Sequence, residues 1–336
     1  MLDPTTELGD LHIHVGGAVA PHILWSIAHE QGFKLPVQTY WEFCDLVSAS
    51  PGKVASQEDY LAILHQWTEK IQSSPAAIER SVHEIIGKEF RSSRVTLLEL
   101  RFNPMKRNLG GERDLDHIIH AALRGMDRAT LEYGTRVGLI FCLAREFPVE
   151  LNEILTKKAI RYRSRGVVGI DLAGPERFAL ELGPEVDAYA ELFARARSAG
   201  LGVTVHTGET PITGVAGMLA VMDKWRPARI GHGIAAAHSE EAMRKLVEQD
   251  IVLEICPSSN LRTRVLGGLP ELGRVLRQFN DRDVRFTINT DGPYLLGTHL
   301  RQEYELLING GVLSDDEALR CIETAKQATF LASHSH

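Results

Sequence analysis

Leu8-Gly9-Asp10-Leu11-His12-Ile13-His14, with Val15-Gly16-Gly17 directly behind it, is the stretch on which the fold reading turns. It has the composition of a short buried strand that ends in two histidines one residue apart. Side chains alternate faces along a strand, so His12 and His14 point the same way at its C-terminal end. Two imidazoles at that spacing can share one divalent metal, because neutral histidine is a common zinc ligand. The glycine pair lets backbone come close to whatever the metal holds. The bland alternative is two polar residues leaving a strand, and the later segments decide between the two.

Working outward, short apolar runs alternate with amphipathic stretches. After the first strand, Pro21–Gln31 carries a helical stripe (Ile23, Leu24, Ile27, Ala28), residues 32–58 read as irregular, and Tyr60–Ile71 is helical with Leu61, Leu64 and Trp67 on one face. This first crossing is far longer than a minimal strand–helix unit and predicts a helical lid insertion at about 32–75. Further strands are predicted at 95–102, 137–143, 167–172, 202–206, 228–233, 251–255 and 285–289, with helices near 114–133, 149–164, 184–199, 239–248 and 270–279 and a helical tail over 299–334. Eight nearly continuously apolar strands alternating with helices predict a (β/α)8 TIM barrel, one domain over residues 1–336, with extra helices after the first strand. An open doubly wound sheet is the alternative, but the glycine-rich first turn expected of it, GxGxxG, is absent.

Composition bounds the class. The 336 residues are 44% hydrophobic and 24% charged, with a formal net charge of −7 and no block of like charge. Neither a nucleic-acid groove nor a membrane surface is expected, and no apolar run approaches the ~18 residues of a spanning helix. Four well-separated cysteines, with no CxxC pair, fit free thiols in a reducing compartment. With no basic, apolar leader at Met1, the expectation is a cytoplasmic protein. Oligomeric state is not legible.

The polar residues gather where the predicted strands end. On a common rim, His12, His14, His206 and Asp291 supply three nitrogens and one carboxylate oxygen. Such a set suits one Zn²⁺ per chain with an open position for water, whose pKa the metal lowers to about 7. Glu209, three residues past His206, is placed to face a substrate, and His232 to hydrogen-bond the water. Each has a plain alternative: His206 a structural or surface residue, Asp291 a turn former before Gly292-Pro293, His232 a loop residue, Glu209 a helix start. The other histidines, His65 among them, are expected in packing or at the surface. The joint pattern, in barrel order, favours a metal site.

In order, "DLHIHVGGA", "IDLAGPE", "HTGE", "RIGHG", "CPSSN" and "NTDGP" resemble the motifs of the adenosine deaminase family, within the amidohydrolase superfamily of zinc barrels, over about residues 8–293. The resemblance implies that His12, His14, His206 and Asp291 bind zinc and that Glu209 donates a proton to the ring nitrogen beside the attacked carbon. It implies that His232 and Asp291 orient the attacking hydroxide, and that the Gly174 backbone N–H meets another ring nitrogen. Glu209 must then be neutral near pH 7, which burial would achieve. The HxE and PCxxC zinc deaminases are a different class. Two positions depart from the family. Gly292 stands where a second acid usually meets the purine's five-membered ring, and Gly16 where an aspartate usually meets the sugar's 5′ hydroxyl. These substrate-contact changes predict lost polar recognition of adenosine and added space. The expected activity is a zinc aminohydrolase of an adenosine-like or modified aminopurine, releasing ammonia. The alternatives are a deaminase of a different amino-heterocycle and a catalytically silent homologue.

Overall fold

The computed structural model describes residues 2–109 and 111–331. Eight parallel strands, β1 (Leu8–His14), β2 (Val95–Phe102), β3 (Arg136–Ala144), β4 (Val167–Ala173), β5 (Gly202–Thr207), β6 (Arg229–His232), β7 (Val252–Ile255) and β8 (Phe286–Ile288), pair in sequence order. The last returns to the first through His14 N–H to Asp291 O (2.7 Å) and Asp291 N–H to His12 O (2.8 Å). The sheet therefore closes into a (β/α)8 barrel, and every strand's C-terminal end lies on one rim. All eight strands lie where the sequence predicts them, to within a residue or two at the ends.

The apolar halves of the strands pack outward on the helices. Val203 and Val205 of β5, Leu98 and Leu100 of β2, and Ile170 and Leu172 of β4 join one continuous buried core with the flanking helical stripes. Alternate residues point inward, and several of these are charged: Glu99, Arg101, Asp171, Arg229 and Glu254 are all buried.

The long first crossing differs in detail from the sequence reading. Within 32–58, Tyr40–Leu46 is a helix started by a capping box of Thr39 and Glu42, whose polar spacing lacks a clear apolar stripe. The helix expected at 60–71 begins earlier, at Gln57 on a Ser56 cap, and is interrupted by a π turn at Leu64–Thr68. A helix at Pro75–Ser93 is not among the sequence expectations, although Ser74 caps it, Pro75 starts it, and Ile78, Val82, Ile85 and Ile86 form its buried stripe. It leads directly into β2, and residues 32–74 lie between it and the helix that follows β1. No helix among the described residues is long and apolar enough to cross a membrane.

Candidate active site

A cavity opens at the C-terminal rim, lined among others by His14, Gly16, Tyr60, Gly174, His206, Glu209, His232 and Asp291. Strand periodicity brings the histidines together as the sequence predicts. One ring nitrogen from each of His12, His14 and His206 lies within 4.8 Å of the others. His14 Nε2 and His206 Nε2 are 3.2 Å apart, and Asp291 Oδ1 is 3.7 Å from His14 Nε2.

The orientation of these rings comes from the charged barrel interior. His12 Nδ1 meets Glu254 Oε2 at 2.8 Å, and His206 Nδ1 meets Asp171 Oδ1 at 3.0 Å. Arg101 donates to both carboxylates, to Asp171 Oδ2 at 3.1 Å and to Glu254 Oε2 at 2.9 Å. Arg229 holds the other oxygen of Glu254 at 2.7 Å. A carboxylate on Nδ1 fixes the proton there and turns the Nε2 lone pair toward the rim. His12 Nε2 is buried and has no hydrogen-bond partner among the described residues. A buried nitrogen left bare in this way fits a cation, and the donor set of three imidazoles and a carboxylate fits zinc. Burial pushes His12 and His14 well below the ordinary histidine value, so both rings are neutral at pH 7. Burial also lowers His206, but the Asp171 carboxylate outweighs it and raises the ring above its ordinary value. A cation at Nε2 competes with that proton.

Asp291 and His232 both adopt left-handed backbone, with φ of 61° and 59°. This conformation is uncommon for non-glycine residues, and at Asp291 the bonds that close the barrel onto His12 and His14 hold it. Ser259 donates to Asp291 Oδ2 at 2.6 Å, and the Asn260 amide to His232 Nδ1 at 3.0 Å. With Nδ1 accepting, the neutral ring carries its proton on Nε2, which faces Glu209 Oε2 at 3.7 Å. Burial lowers His232 to about 4, keeping it neutral at pH 7.

Glu209 is raised to about 8, by burial first and then by the Glu176 and Asp291 carboxylates. Glu176 stands close because it accepts the Glu209 N–H at 3.1 Å and the Thr210 N–H at 2.7 Å, pinning the turn after β5. From the insertion, Gln57 donates to Glu209 Oε2 at 2.5 Å and accepts the Glu176 N–H at 3.2 Å. Gly174 lines the cavity at φ 108°, where a Cβ would come within 2.6 Å of Glu146 Oε2.

Gly16 and Gly292 correct the expectation of added space. A Cβ on Gly292 would overlap the Tyr60 hydroxyl, and one on Gly16 would meet Leu64 Cδ2 at 3.1 Å and Arg107 Nη2 and Glu69 Cγ at 3.3 Å. The glycines make room for the insertion and for Arg107, and Gly292 is not among the residues that line the cavity. His65, expected away from the site, also lines it. Sequence reasoning missed Asp171, Glu254, Glu176, Gln57 and Ser259. For the first two a readable cue existed, a lone acid within an otherwise apolar strand.

The comparisons agree with this geometry. A family model described as adenosine deaminase matches residues 7–335. The chain belongs to the adenosine deaminase family. It is 28% identical over 332 residues to an adenosine deaminase of Shewanella denitrificans, covering 99% of this chain and 96% of that one. Among solved structures, the Arabidopsis N6-mAMP deaminase aligns with a TM-score of 0.81 at 23% identity, over 98% of this chain and 95% of that chain. A zinc-bound amidohydrolase from Burkholderia ambifaria aligns with a TM-score of 0.84 at 18% identity, over 98% of this chain and 87% of that chain. The adenosine deaminase-like chain is thus a hydrolytic, metal-dependent aminopurine deaminase on a TIM barrel.

Proposed function

We propose that this deaminase uses zinc, held by His12, His14, His206 and Asp291, to replace the exocyclic amino group of an adenosine-like or modified aminopurine by oxygen. The observation that carries the reading is the meeting, in one cavity, of three imidazole nitrogens within 4.8 Å and a buried carboxyl raised to about 8. Zinc, when bound, supplies a water nucleophile that is active at neutral pH. Neutral His232 donates from Nε2 to the attacking oxygen, and Asp291 accepts from it, so the oxygen is aimed at the amino-bearing carbon. Glu209 enters protonated and passes its proton to the adjacent ring nitrogen, relieving the charge that attack pushes onto the ring. The Gly174 N–H holds a second ring nitrogen. Ammonia leaves as the carbon–oxygen bond becomes a carbonyl.

Residues 32–74 act as the lid of a single barrel domain. This reading is supported by the contact of Gln57 with Glu209 and of Tyr60 Oη with Asp291 Oδ1 at 3.4 Å, both made at the reacting end. The free cysteines fit action in the cytoplasm. The Arabidopsis N6-mAMP deaminase, named for a purine nucleotide, shares the fold. The test is Glu209→Gln: metal content should hold at one zinc per chain while ammonia release from a panel of aminopurines falls ~10²–10⁴-fold. Near-normal turnover removes Glu209 from the mechanism, and release from no aminopurine by the wild type removes the substrate class.

A further inference from the structure

The cavity carries a second cluster of charge that the reaction does not use. Arg107, in the turn that follows β2, is wholly buried, and its Nε, Nη1 and Nη2 have no hydrogen-bond acceptor among the described residues. Glu69 Oε1 lies 3.0 Å from Nη1, an ion pair that balances the charge while Nε and Nη2 are left without an acceptor. Lys106 is the next residue back and lines the same wall. Its Nζ is 2.5 Å from Glu146 Oε1 and 3.1 Å from His65 Nε2. Gly16 is what admits the guanidinium, since Arg107 Nη2 stands beside the place a side chain there would take.

A guanidinium buried without acceptors is costly to maintain, and its planar fork matches the paired oxygens of a carboxylate or a phosphate. A hydroxyl would answer one donor; an anion answers two or three. We propose that Arg107, backed by Lys106, is an anion subsite, and that the substrate is an amino-substituted ring bearing a carboxylate or phosphate at its far end. Glu69 is the occupant that the anion displaces: it sits on the insertion directly after the π turn, and it neutralises Arg107 without satisfying it. This inference rests on the aminopurine reading for the ring alone.

The test is calorimetric binding of three deaminated ligands to the zinc-loaded enzyme: inosine, inosine 5′-carboxylate and inosine 5′-monophosphate. No turnover is needed. A hydrogen-bonded charge predicts that at least one anionic ligand binds on the order of 10–100-fold tighter than inosine. The tighter of the two identifies the anion. Arg107→Met should erase that ratio, Lys106→Gln should reduce it, and Glu69→Gln should increase it by removing the competing carboxylate. Equal binding of all three ligands by the wild type, or a ratio that survives Arg107→Met in folded protein, overturns the subsite. Tighter inosine also overturns it and assigns the cluster to a sugar hydroxyl. If no purine binds, the aminopurine reading fails separately. Thermal shifts by inorganic phosphate and by acetate then decide the subsite, and equal shifts in wild type and Arg107→Met overturn it.

Discussion

The proton on Glu209 makes the rate depend on pH in a direction that can be worked out from its surroundings. Burial, Glu176 and Asp291 together raise this carboxyl to about 8, while the hydrogen bond from Gln57 pulls the other way. A group with that value is roughly 90% protonated at pH 7 and roughly 10% at pH 9, whereas an ordinary glutamic acid would be protonated well under ~1% at pH 7. The mechanism needs the protonated form, so activity is present below the raised pKa and is lost as pH rises through it. We expect kcat/KM to fall about tenfold per pH unit above about 8. Two substitutions should move this alkaline limb in opposite directions. Glu176→Gln deletes a neighbouring negative charge and keeps one of the two oxygens that accept the Glu209 and Thr210 N–H groups, so the limb moves to lower pH. Gln57→Leu deletes the donor that favours the ionised form, so the limb moves to higher pH. The assay is ammonia release at low substrate concentration across pH 5–10 (roughly the span over which such limbs show), with a substrate that does not titrate in that range. Limbs that stay fixed, or that move together, refute the assignment of the alkaline limb to Glu209.

Other expectations concern the metal and the insertion. His206→Ala should lose the metal, and a full equivalent of zinc at the native site in this variant would show that the ligand set is wrong. Asp171→Asn leaves His206 without its charged orienting partner and should weaken metal affinity about 10–100-fold, read by competition with a chelator. Gly292→Ala drives a methyl group into the Tyr60 hydroxyl, so thermal unfolding should show a loss of about 1–3 kcal/mol, with KM rising more than kcat falls. An unchanged melting temperature would mean that Tyr60 does not rest there.

The barrel was legible because continuous apolar strands buried on both faces leave a simple pattern, and because closure puts all their ends on one rim. His12, His14, His206, Glu209, His232 and Asp291 could be gathered for the same reason: each sits at or just past a strand end. The supporting acids were harder, since Glu254 reaches His12 from a strand 242 residues away and Asp171 meets His206 from the neighbouring strand, a contact that strand spacing alone does not announce. Gln57 and Tyr60 were hidden more deeply. Nothing in a helix's own spacing says which distant carboxylate its side chains will meet. Gly16 and Gly292 misled the reading about space, because a missing side chain says nothing of what moves into its place. Here that was Tyr60 in one case and Arg107 with Glu69 and Leu64 in the other.

The charged interior also bears on how the chain can assemble. Glu99, Arg101 and Asp171 belong to the first four strands, and Arg229 and Glu254 to the last four. The ion pairs Arg101–Glu254 and Arg229–Glu99 join the two groups across 153 and 130 residues of chain. Each half keeps one pair of its own, Arg101–Asp171 and Arg229–Glu254, but Glu99 and the second oxygen of Glu254 meet a guanidinium only across the divide, so each half alone leaves part of its charged interior unanswered. Because partners this remote must be brought together before they repay the loss of water, a partly built barrel gains little, and closure has the character of a single late event. Glu254, which takes part in that closure, also aims His12, while Asp171 of β4 aims His206 of β5. An incomplete barrel thus leaves His12 without the carboxylate that aims it, and closing the circle brings His12 and His14 of the first strand beside His206.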